Sequence, residues 1–238
     1  MMPGLQGGPS PHRWNQIRRL PLDPAIRTLE QYEQAVMIGT LDVLEYLRSV
    51  DPVRALAVAD IQQVHYQMFR AVHPWAGQFR GLGQMATIAG FPTADPQRIV
   101  RELELALFQS AELLTGALSA RDPHGTIAAL GFFHVRFERV HPFLDGNGRS
   151  GRAMLAVQVE KLFGTLPRFT DQVGYRAAMR AGNRQDLALF INYLGASVGL
   201  PAVQAPWRLP FHVSPRFLET AEDEPTFEED LSWSRAAS

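Results

Sequence analysis

Apolar residues recur every three or four positions along most of the chain between residues 28 and 199. That spacing gathers apolar side chains on one face of an α-helix. The pattern predicts helices at about 28–50, 58–72, 95–118, 122–140, 149–164, 172–181 and 186–199. The fold class is therefore expected to be mainly α.

Some of the predicted helix ends carry local signals. Asp95-Pro96 and Asp122-Pro123 each place an N-cap residue before a first-turn proline, which marks a helix start. Gly164 closes the helix that begins near residue 149, and this helix is apolar on nearly all sides. We expect that helix to be buried in the centre of the domain.

The segment from Trp75 to Thr93 departs from the helical pattern. Glycines recur among short mixed stretches there, at Gly77, Gly81, Gly83 and Gly90. This composition favours a turn-rich loop or a small β-hairpin over a helix. It is the only candidate for a sheet in the sequence.

Both ends of the chain lack helical periodicity. Residues 1–24 carry Gly, Pro and Arg, and we expect an extended or poorly ordered arm. Residues 201–238 combine five prolines with an acidic cluster, and we expect a tail that packs loosely or not at all. Residues 25–200 then form one globular domain of common size.

The composition excludes several classes of function. A formal net charge of −1 provides no overall basic field, so nucleic acid is not expected as a partner. The chain has no cysteine, which excludes disulfides and thiolate metal sites. It also lacks an apolar run of about 18 residues and a secretory signal, so we expect no membrane partner and a cytoplasmic location.

The segment His141–Arg152 lies between two predicted helices and holds the candidate chemistry. Gly146 and Gly148 allow a sharp backbone turn that exposes successive N–H groups. The helix that starts near Arg149 adds unsatisfied N–H donors and the positive end of its dipole. Such a loop favours the binding of phosphate.

Ionisable side chains accompany this loop. Arg149 and Arg152 are three residues apart and can present planar forks to phosphate oxygens. Asp145 supplies a carboxylate beside the phosphate site, as a bridging Mg²⁺ requires. His141, with an ordinary pKa of about 6.5, can accept a proton from an attacking hydroxyl.

These residues resemble the Fic motif, His-x-Phe-x-(Asp or Glu)-Gly-Asn-(Gly or Lys)-Arg-x-x-Arg. Every specified position is matched between His141 and Arg152, and a chance match in a chain this long is on the order of 10⁻⁷ or less. The stretch from Trp75 to Phe190 also resembles a Fic core, including Gly77-Gln78-Phe79-Arg80. The resemblance implies a Fic-type helical domain over 25–200, with a β-hairpin flap over the active site.

The resemblance also implies a role for each motif position. His141 would be the general base that deprotonates a Ser, Thr or Tyr hydroxyl of a target protein. Phe143 would anchor the loop in the core, and Asp145 would hold Mg²⁺. The residues that bind the phosphates of ATP would be Gly146, Asn147, Gly148, Arg149 and Arg152.

The implied reaction is protein adenylyl transfer: attack on the α phosphorus of ATP places AMP on the target and releases pyrophosphate. The flap, between about Leu82 and Thr93, would pair with an extended segment of the target and align its hydroxyl. Its target-docking residues would be Ile88, Gly90, Phe91 and Pro92.

Other reactions and another class of function stay open. Gly148 favours AMP transfer, since family members with lysine at that position include phosphate-transferring toxins. The motif does not define the base of the nucleotide, so transfer of UMP or phosphate, or removal of AMP, are alternatives. The competing class is a non-catalytic interaction module, although the joint presence of His141, Asp145 and Arg152 argues against it.

Regulation is expected to involve a second protein. Many Fic proteins are restrained by a helix with the pattern (Ser or Thr)-x-x-x-Glu-(Gly or Asn). No segment of this chain fits, and the nearest, residues 220–225, ends in proline. A separate inhibitory protein, similar to an antitoxin, is therefore the favoured hypothesis.

Other uses of the same residues are disfavoured. An EF-hand that opened at Asp145 would need glycine and glutamate where Ser150 and Ala156 stand. Lys161 follows glutamate, so it does not belong to a phosphate-binding P-loop. His134 lacks the neighbours of a metal ligand, and we expect it to pack on its helix.

Overall fold

The computed structural model describes residues 11–50, 56–84, 87–88 and 91–208 of the chain. Eight α-helices lie within these ranges: α1 Pro11–Ile17, α2 Leu29–Ser49, α3 Val58–Phe69, α4 Ile99–Ser119, α5 Pro123–Val140, α6 Asn147–Phe163, α7 Gln172–Asn183 and α8 Ala188–Gly195. Short 3₁₀ turns at Pro96–Arg98 and Ala196–Val198 precede α4 and follow α8. The predicted mainly α fold class is confirmed.

Local sequence accounts for several helix starts. The Thr28 side chain accepts a hydrogen bond from the Gln31 N–H at 3.2 Å, and the Gln31 side chain accepts one from the Thr28 N–H at 3.2 Å. This reciprocal capping box satisfies two backbone donors at the start of α2. Asp171 caps α7 by accepting from the Gly174 N–H at 2.9 Å. Asp122 occupies the N-cap position of α5, although it makes no side-chain capping hydrogen bond.

Helices α5 and α6 pack between two hydrophobic clusters. One cluster joins residues of α2, α3 and the first half of α4 to one side of this pair. The other joins α7 and α8 to the opposite side. Every residue from Thr126 to Val140 of α5 is buried, so α5 is the most enclosed helix. The apolar pattern predicts that central position for α6, which is buried over most of its length but shares the centre with α5.

The glycine-rich segment contains two very short strands. Thr87–Ile88 (β1) pairs antiparallel with Phe91–Pro92 (β2), with Thr87 opposite Pro92 and Ile88 opposite Phe91. The strands have two residues each. Gly90, one of the expected docking residues, lies outside the described residues. That this segment acts as a flap over an active site stays a prediction.

The N-terminal arm differs from the expectation. Residues 11–17 form helix α1, and Ile17 is buried in the first hydrophobic cluster. The following segment lies against the end of α3, where the Asp23 N–H donates to the Val72 carbonyl at 3.0 Å. The prediction of an arm without regular structure was wrong for this part, because seven residues are too few to show a helical period.

The first residues of the predicted tail also pack on the domain. The Asn192 side chain exchanges two hydrogen bonds with the backbone of Val203, at 3.1 and 2.7 Å. The Leu187 N–H donates to the Trp207 carbonyl at 3.0 Å. Loose packing is therefore the wrong prediction for residues 201–208, and the acidic part of the tail lies outside the described residues. Among the described helices, none is long and apolar enough to cross a membrane.

Candidate active site

A sharp turn at residues 141–146 joins α5 to α6. His141 ends α5 with a φ of +51°, which L-residues rarely adopt, while its N–H still donates to the Phe137 carbonyl at 3.0 Å. Gly146 is the N-cap of α6 and has a φ of +82°. The two left-handed residues bracket the turn and bring its side chains to the start of α6.

The turn is closed by its own side chains. The Phe143 N–H donates to Asn147 Oδ1, and Asn147 Nδ2 donates back to the Phe143 carbonyl, both at 2.9 Å. Phe143 is fully buried, as expected of an anchor, and its ring stacks on His65 with centroids 3.8 Å apart. Because the Asn147 side chain makes both of these bonds inside the turn and is buried, its backbone N–H is the candidate donor to a ligand.

Helix α6 presents free backbone donors at its first turn. The bond from the Ser150 N–H to the Gly146 carbonyl, at 3.0 Å, is the first of the helix. The N–H groups of residues 147–149 therefore have no acceptor within the helix, and they lie at the positive end of its dipole. A helix start with this geometry is a natural anion site. The helix begins at Asn147 and not near Arg149, which moves the unpaired N–H groups two residues closer to the turn.

The two motif arginines occupy different places. Arg152 reaches back along α6: a Cβ added to Gly148 would lie 3.1 Å from Arg152 Nη1. Arg149 points the other way, toward α2, and its guanidinium lies over the Phe69 ring at 4.5 Å. Arg152 therefore lies beside the free N–H groups, while Arg149 is held in the protein interior.

Asp145 is held by Arg149 and by α2. Its Oδ2 accepts from Arg149 Nη2 at 2.8 Å and from the Tyr32 hydroxyl at 3.2 Å. Arg149 Nη2 also donates to the Tyr32 hydroxyl at 2.9 Å. The carboxylate remains 34% exposed, so it can still meet solvent or a ligand.

His65, in α3, also contacts the turn. Its Nδ1 accepts from the Gly77 N–H at 2.9 Å, so its Nε2 carries the proton and donates to the Asp145 carbonyl at 3.0 Å. Burial lowers the pKa of His65 to about 3, which keeps the ring neutral. His65 is therefore the neutral Nε2–H tautomer, and it donates to the backbone of the turn at Asp145.

The environment of His141 suits a base. Its Nδ1 lies 3.3 Å from the Glu138 carbonyl oxygen, and because a carbonyl only accepts, the proton belongs on Nδ1. Nε2 then has a free lone pair. Burial, together with the nearby Arg80 charge, lowers the pKa of His141 below its usual value, against opposing contributions from Glu138 and Asp145. The imidazole is consequently neutral at pH 7.

Arg80 fastens the turn to the segment that contains β1 and β2. Its Nε donates to the His141 carbonyl at 2.8 Å, and its Nη2 donates to the Val140 carbonyl at 3.3 Å. The same side chain donates to the Gln84 carbonyl at 3.0 Å and to the Ala94 carbonyl. Gln84 precedes β1 and Ala94 follows β2. The buried Arg80 guanidinium therefore connects both ends of the strand segment to His141, the residue expected to be the base.

The donor set limits how a metal could be held. Among the described residues, no group of three or more His, Cys, Asp or Glu side chains is placed to hold an ion. The exposed carboxylate of Asp145 lies beside the start of α6, and Mg²⁺ commonly takes one carboxylate and completes its shell with phosphate and water. The residues present thus fit Mg²⁺ bound together with phosphates.

A model of the Fic/DOC family matches residues 55–159 of the chain. Residues 55–159 therefore match a Fic domain. This match spans α3 to most of α6, and so includes the whole turn and both motif arginines.

Known proteins with Fic domains share this sequence pattern and fold. The chain is 24% identical over 169 residues to the protein adenylyltransferase Fic of Nematostella vectensis, an alignment that covers 68% of this chain and 37% of that protein. The chain thus matches little more than a third of the relative's length.

Solved structures give the same fold. The BepC effector of Bartonella tribocorum, solved with bound AMPPNP, has a TM-score of 0.57 at 16% identity over 75% of this chain and 91% of that one. Fic-1 from C. elegans, residues 134–508 with E274G, has a TM-score of 0.53 at 21% identity over 75% of this chain and 51% of that one. At these identities the likeness concerns the fold alone.

The fold brings most of the predicted site residues to one place. The described residues at the α5–α6 junction are His141, Asp145, Gly146, Asn147, Gly148, Arg149 and Arg152. Ile88, Phe91 and Pro92 belong to the paired strands, and their docking role stays a prediction.

Sequence reasoning missed several supporting residues. Tyr32 and His65 lie more than 75 positions from the turn that they contact, and no local pattern signals such contacts. Arg80 did belong to the tetrapeptide that resembles a Fic core, although its hydrogen bonds to both segments were not anticipated.

Proposed function

We propose that this protein is a protein adenylyltransferase, which transfers AMP from Mg²⁺-ATP to a Ser, Thr or Tyr hydroxyl of a target protein. The observation that carries the proposal is the position of His141: a neutral imidazole in a left-handed turn, six residues before a helix start with three free N–H groups. The name of the Nematostella vectensis relative, a protein adenylyltransferase, supports the same reaction.

The start of α6 would bind the phosphates of the nucleotide. The N–H groups of residues 147–149 would donate to phosphate oxygens, and Arg152 would add a charge-assisted contact from beside Gly148. Arg149, paired with Asp145 and Tyr32, would act on the nucleotide chiefly by holding the carboxylate in place. Solved Fic-domain relatives contain AMPPNP and ADP, which favours a nucleotide as the occupant.

His141 would act as the general base. With its proton on Nδ1, Nε2 would take the proton of the target hydroxyl as the oxygen attacks the α phosphorus. The O–P bond to the target forms, the bond to the β phosphate breaks, and pyrophosphate leaves. The lowered pKa of His141 keeps this base in its neutral form at pH 7.

Asp145 would hold Mg²⁺. The ion, when bound, would neutralise charge on the phosphates during the reaction. The Tyr32 hydroxyl and Arg149 would orient the Asp145 carboxylate toward it. The segment with β1 and β2 would dock an extended part of the target next to His141, since strand pairing offers backbone partners without regard to sequence.

The decisive test is label transfer from [α-³²P]ATP with Mg²⁺ to proteins of a cell lysate. We expect protein-bound label with the wild type, none with His141→Ala, and undiminished label with His124→Ala. His124 is a matched control, because it contacts the Pro201 carbonyl far along the chain from the motif. Equal label from His141→Ala would refute its role as the base.

Parallel donors separate the alternatives within the enzyme class. Label from [γ-³²P]ATP alone would mean phosphate transfer, label from [α-³²P]UTP would mean UMP transfer, and loss of AMP from a labelled protein would mean hydrolysis. A folded wild type that moves no label from any of these donors would favour the non-catalytic interaction module.

Regulation by a separate inhibitory protein, similar to an antitoxin, is part of the proposal. It rests on the absence of a matching inhibitory sequence in the chain. Adding such a partner should suppress label transfer by the purified protein. Activity that appears only after removal of residues 209–238 would instead place the inhibitor in the chain itself.

A further inference from the structure

We propose that Tyr32 is the positioning residue of a cation site at Asp145, and that its hydroxyl turns from Asp145 to His73 when the carboxylate binds Mg²⁺. This inference rests on the proposed function, since it assigns Mg²⁺ to Asp145. Tyr32 lies in α2, ahead of the residues that the Fic/DOC family model matches, and His73 follows α3.

The Tyr32 hydroxyl lies among three polar groups inside the protein. It accepts a hydrogen bond from Arg149 Nη2 at 2.9 Å. Its one proton has two acceptors within reach, Asp145 Oδ2 at 3.2 Å and His73 Nε2 at 3.4 Å. Tyr32 is fully buried, so protein groups, and not bulk solvent, direct the hydroxyl proton.

The Pro21 carbonyl decides which nitrogen of His73 can accept. His73 Nδ1 lies 3.1 Å from the Pro21 carbonyl oxygen, and because a carbonyl only accepts, the proton belongs on Nδ1. Burial lowers the pKa of His73 below its usual value, which keeps the ring neutral at pH 7. His73 Nε2 therefore has a lone pair for the Tyr32 hydroxyl.

The N-terminal segment is fixed in this place by further contacts. Trp75 Nε1 donates to the same Pro21 carbonyl at 3.3 Å, and the Trp75 ring stacks on His73 with centroids 4.3 Å apart. The Asp23 N–H donates to the Val72 carbonyl at 3.0 Å. The tautomer of His73 thus depends on a stretch of chain that precedes the residues matched by the family model.

The second acceptor lets Tyr32 stay in place when a cation binds. A cation needs a lone pair of the Asp145 carboxylate and repels a hydroxyl proton that points at the same group. The Tyr32 hydroxyl then rotates about its C–O bond toward His73 Nε2, and no covalent bond breaks. Its oxygen still accepts from Arg149, so the guanidinium that pairs with Asp145 keeps both of its partners.

The test compares binding of AMPPNP, a non-hydrolysable ATP analogue, to the full chain with Mg²⁺ and with EDTA. Calorimetry gives both affinities, and their ratio is the cation-dependent gain. Tyr32→Phe should reduce this gain about tenfold or more, as loss of a partner that orients a metal ligand does. The ratio cancels any change in stability or packing that affects both conditions equally.

Tyr46→Phe is the matched control. The Tyr46 hydroxyl donates to Asp60 Oδ1 at 2.6 Å, so this variant also loses a bond from a phenol to a carboxylate. Tyr46 belongs to the same helix but lies about 21 Å from Tyr32 along the axis of α2. The cation-dependent gain should be unchanged in this variant.

Two variants of His73 test the second acceptor. His73→Asn keeps an amide near the position of Nδ1, within reach of the Pro21 carbonyl, but has no atom at the position of Nε2. His73→Gln is one atom longer and can offer its amide oxygen to Tyr32. The cation-dependent gain should therefore fall in His73→Asn and be better preserved in His73→Gln. Equal gains in the two variants would reject His73 as the alternative acceptor.

NMR of protein labelled with ¹⁵N-histidine follows the hydroxyl directly, with His73 assigned from His73→Asn. The His73 proton should be found on Nδ1. Mg²⁺ with AMPPNP should shift the Nε2 signal to lower frequency, as a stronger hydrogen bond to that nitrogen does, and AMPPNP with EDTA should not. The shift should be absent in Tyr32→Phe. A proton on Nε2 would reject the proposal whether or not nucleotide binds.

The two proposals fail in different ways. An unchanged cation-dependent gain in Tyr32→Phe would overturn the positioning role of Tyr32, while label transfer by the wild type would still support adenylyl transfer. A wild type that binds no AMPPNP and transfers no label would overturn the proposed function and, with it, the cation site.

Discussion

At Gly146 the backbone enters α6 with a φ of +82° and passes directly beside the ring of Phe69. Only glycine adopts this backbone freely. A Cβ at this position would also lie 2.4 Å from Phe69 Cε2 and 3.1 Å from His65 Nε2. The residue therefore satisfies a conformational and a steric requirement together. The Fic motif shows that glycine is required here, but the contacts with α3 that add the steric requirement are visible only in the folded chain.

Gly146→Ala should lower the free energy of unfolding by roughly 2–4 kcal/mol, from overpacking and the left-handed backbone. Gly116→Ala, within α4, is the control, since nothing lies within 4 Å of an added Cβ there. That change should raise stability by up to about 1 kcal/mol, because alanine favours helix. Urea denaturation measures both. Similar changes in the two variants would show that the crowding at Gly146 has no energetic consequence.

Arg80 links two segments that are far apart in sequence. It donates to carbonyls on the α5 end of the turn and to carbonyls on both sides of the paired strands. Arg80 is 2% exposed. Because these acceptors lie in several directions around a planar guanidinium, a single ammonium cannot reach them all.

Arg80→Lys should lower the free energy of unfolding by roughly 2–4 kcal/mol, since buried carbonyls that lose a donor cost about 1–3 kcal/mol each. Label transfer should fall further than stability alone explains, because both the His141 backbone and the strand segment lose their shared support.

Arg70→Lys is the control: Arg70 forms an exposed ion pair with Asp42 and should change stability by less than about 0.5 kcal/mol. Urea denaturation measures the free energy of unfolding, and label transfer is compared at a temperature where all variants are folded. A fully active Arg80→Lys would exclude this coupling.

The helices differ in how well the sequence predicted them. Those with a clear period and a cap were predicted within a few residues, as for α2, whose start has the capping box of Thr28 and Gln31. Helix α1 was missed because it spans only seven residues, and Ile17 joins the core through tertiary contacts. The paired strands were anticipated as one of two options, since glycine-rich sequence permits both a loop and a hairpin.

Buried histidines make the stability of the folded protein depend on pH. Burial lowers the pKa of both His65 and His134 to about 3, from 6.5 in the unfolded chain. Below pH 6.5 the unfolded state therefore binds protons that the native state does not, and stability falls as pH falls. Glu138 opposes this, since burial raises its pKa from 4.5 to about 7 and the native state binds its proton first.

We expect the free energy of unfolding to fall between about pH 6 and pH 5 by at least about 1.4 kcal/mol per pH unit, from His65 and His134 opposed by Glu138. The lowered pKa values of His73 and His141, both caused first by burial, act in the same direction. In Glu138→Gln the opposing contribution is absent, so the dependence should be steeper by about 1.4 kcal/mol per pH unit. Urea denaturation at several pH values gives both slopes. Stability that is constant or rises on acidification would mean that the two histidines are protonated in the native state.

Local patterns in the chain are enough to predict the helical class, most helix boundaries and the motif between His141 and Arg152. These depend on local periodicity, caps and residue spacing, which are properties of short stretches of chain. Tertiary packing alone pairs Arg149 with Asp145 and Tyr32, and it alone joins the turn to the strands through Arg80. The partners in these contacts come from helices and loops distant in sequence, and packing brings them together only when the two hydrophobic clusters close around α5 and α6.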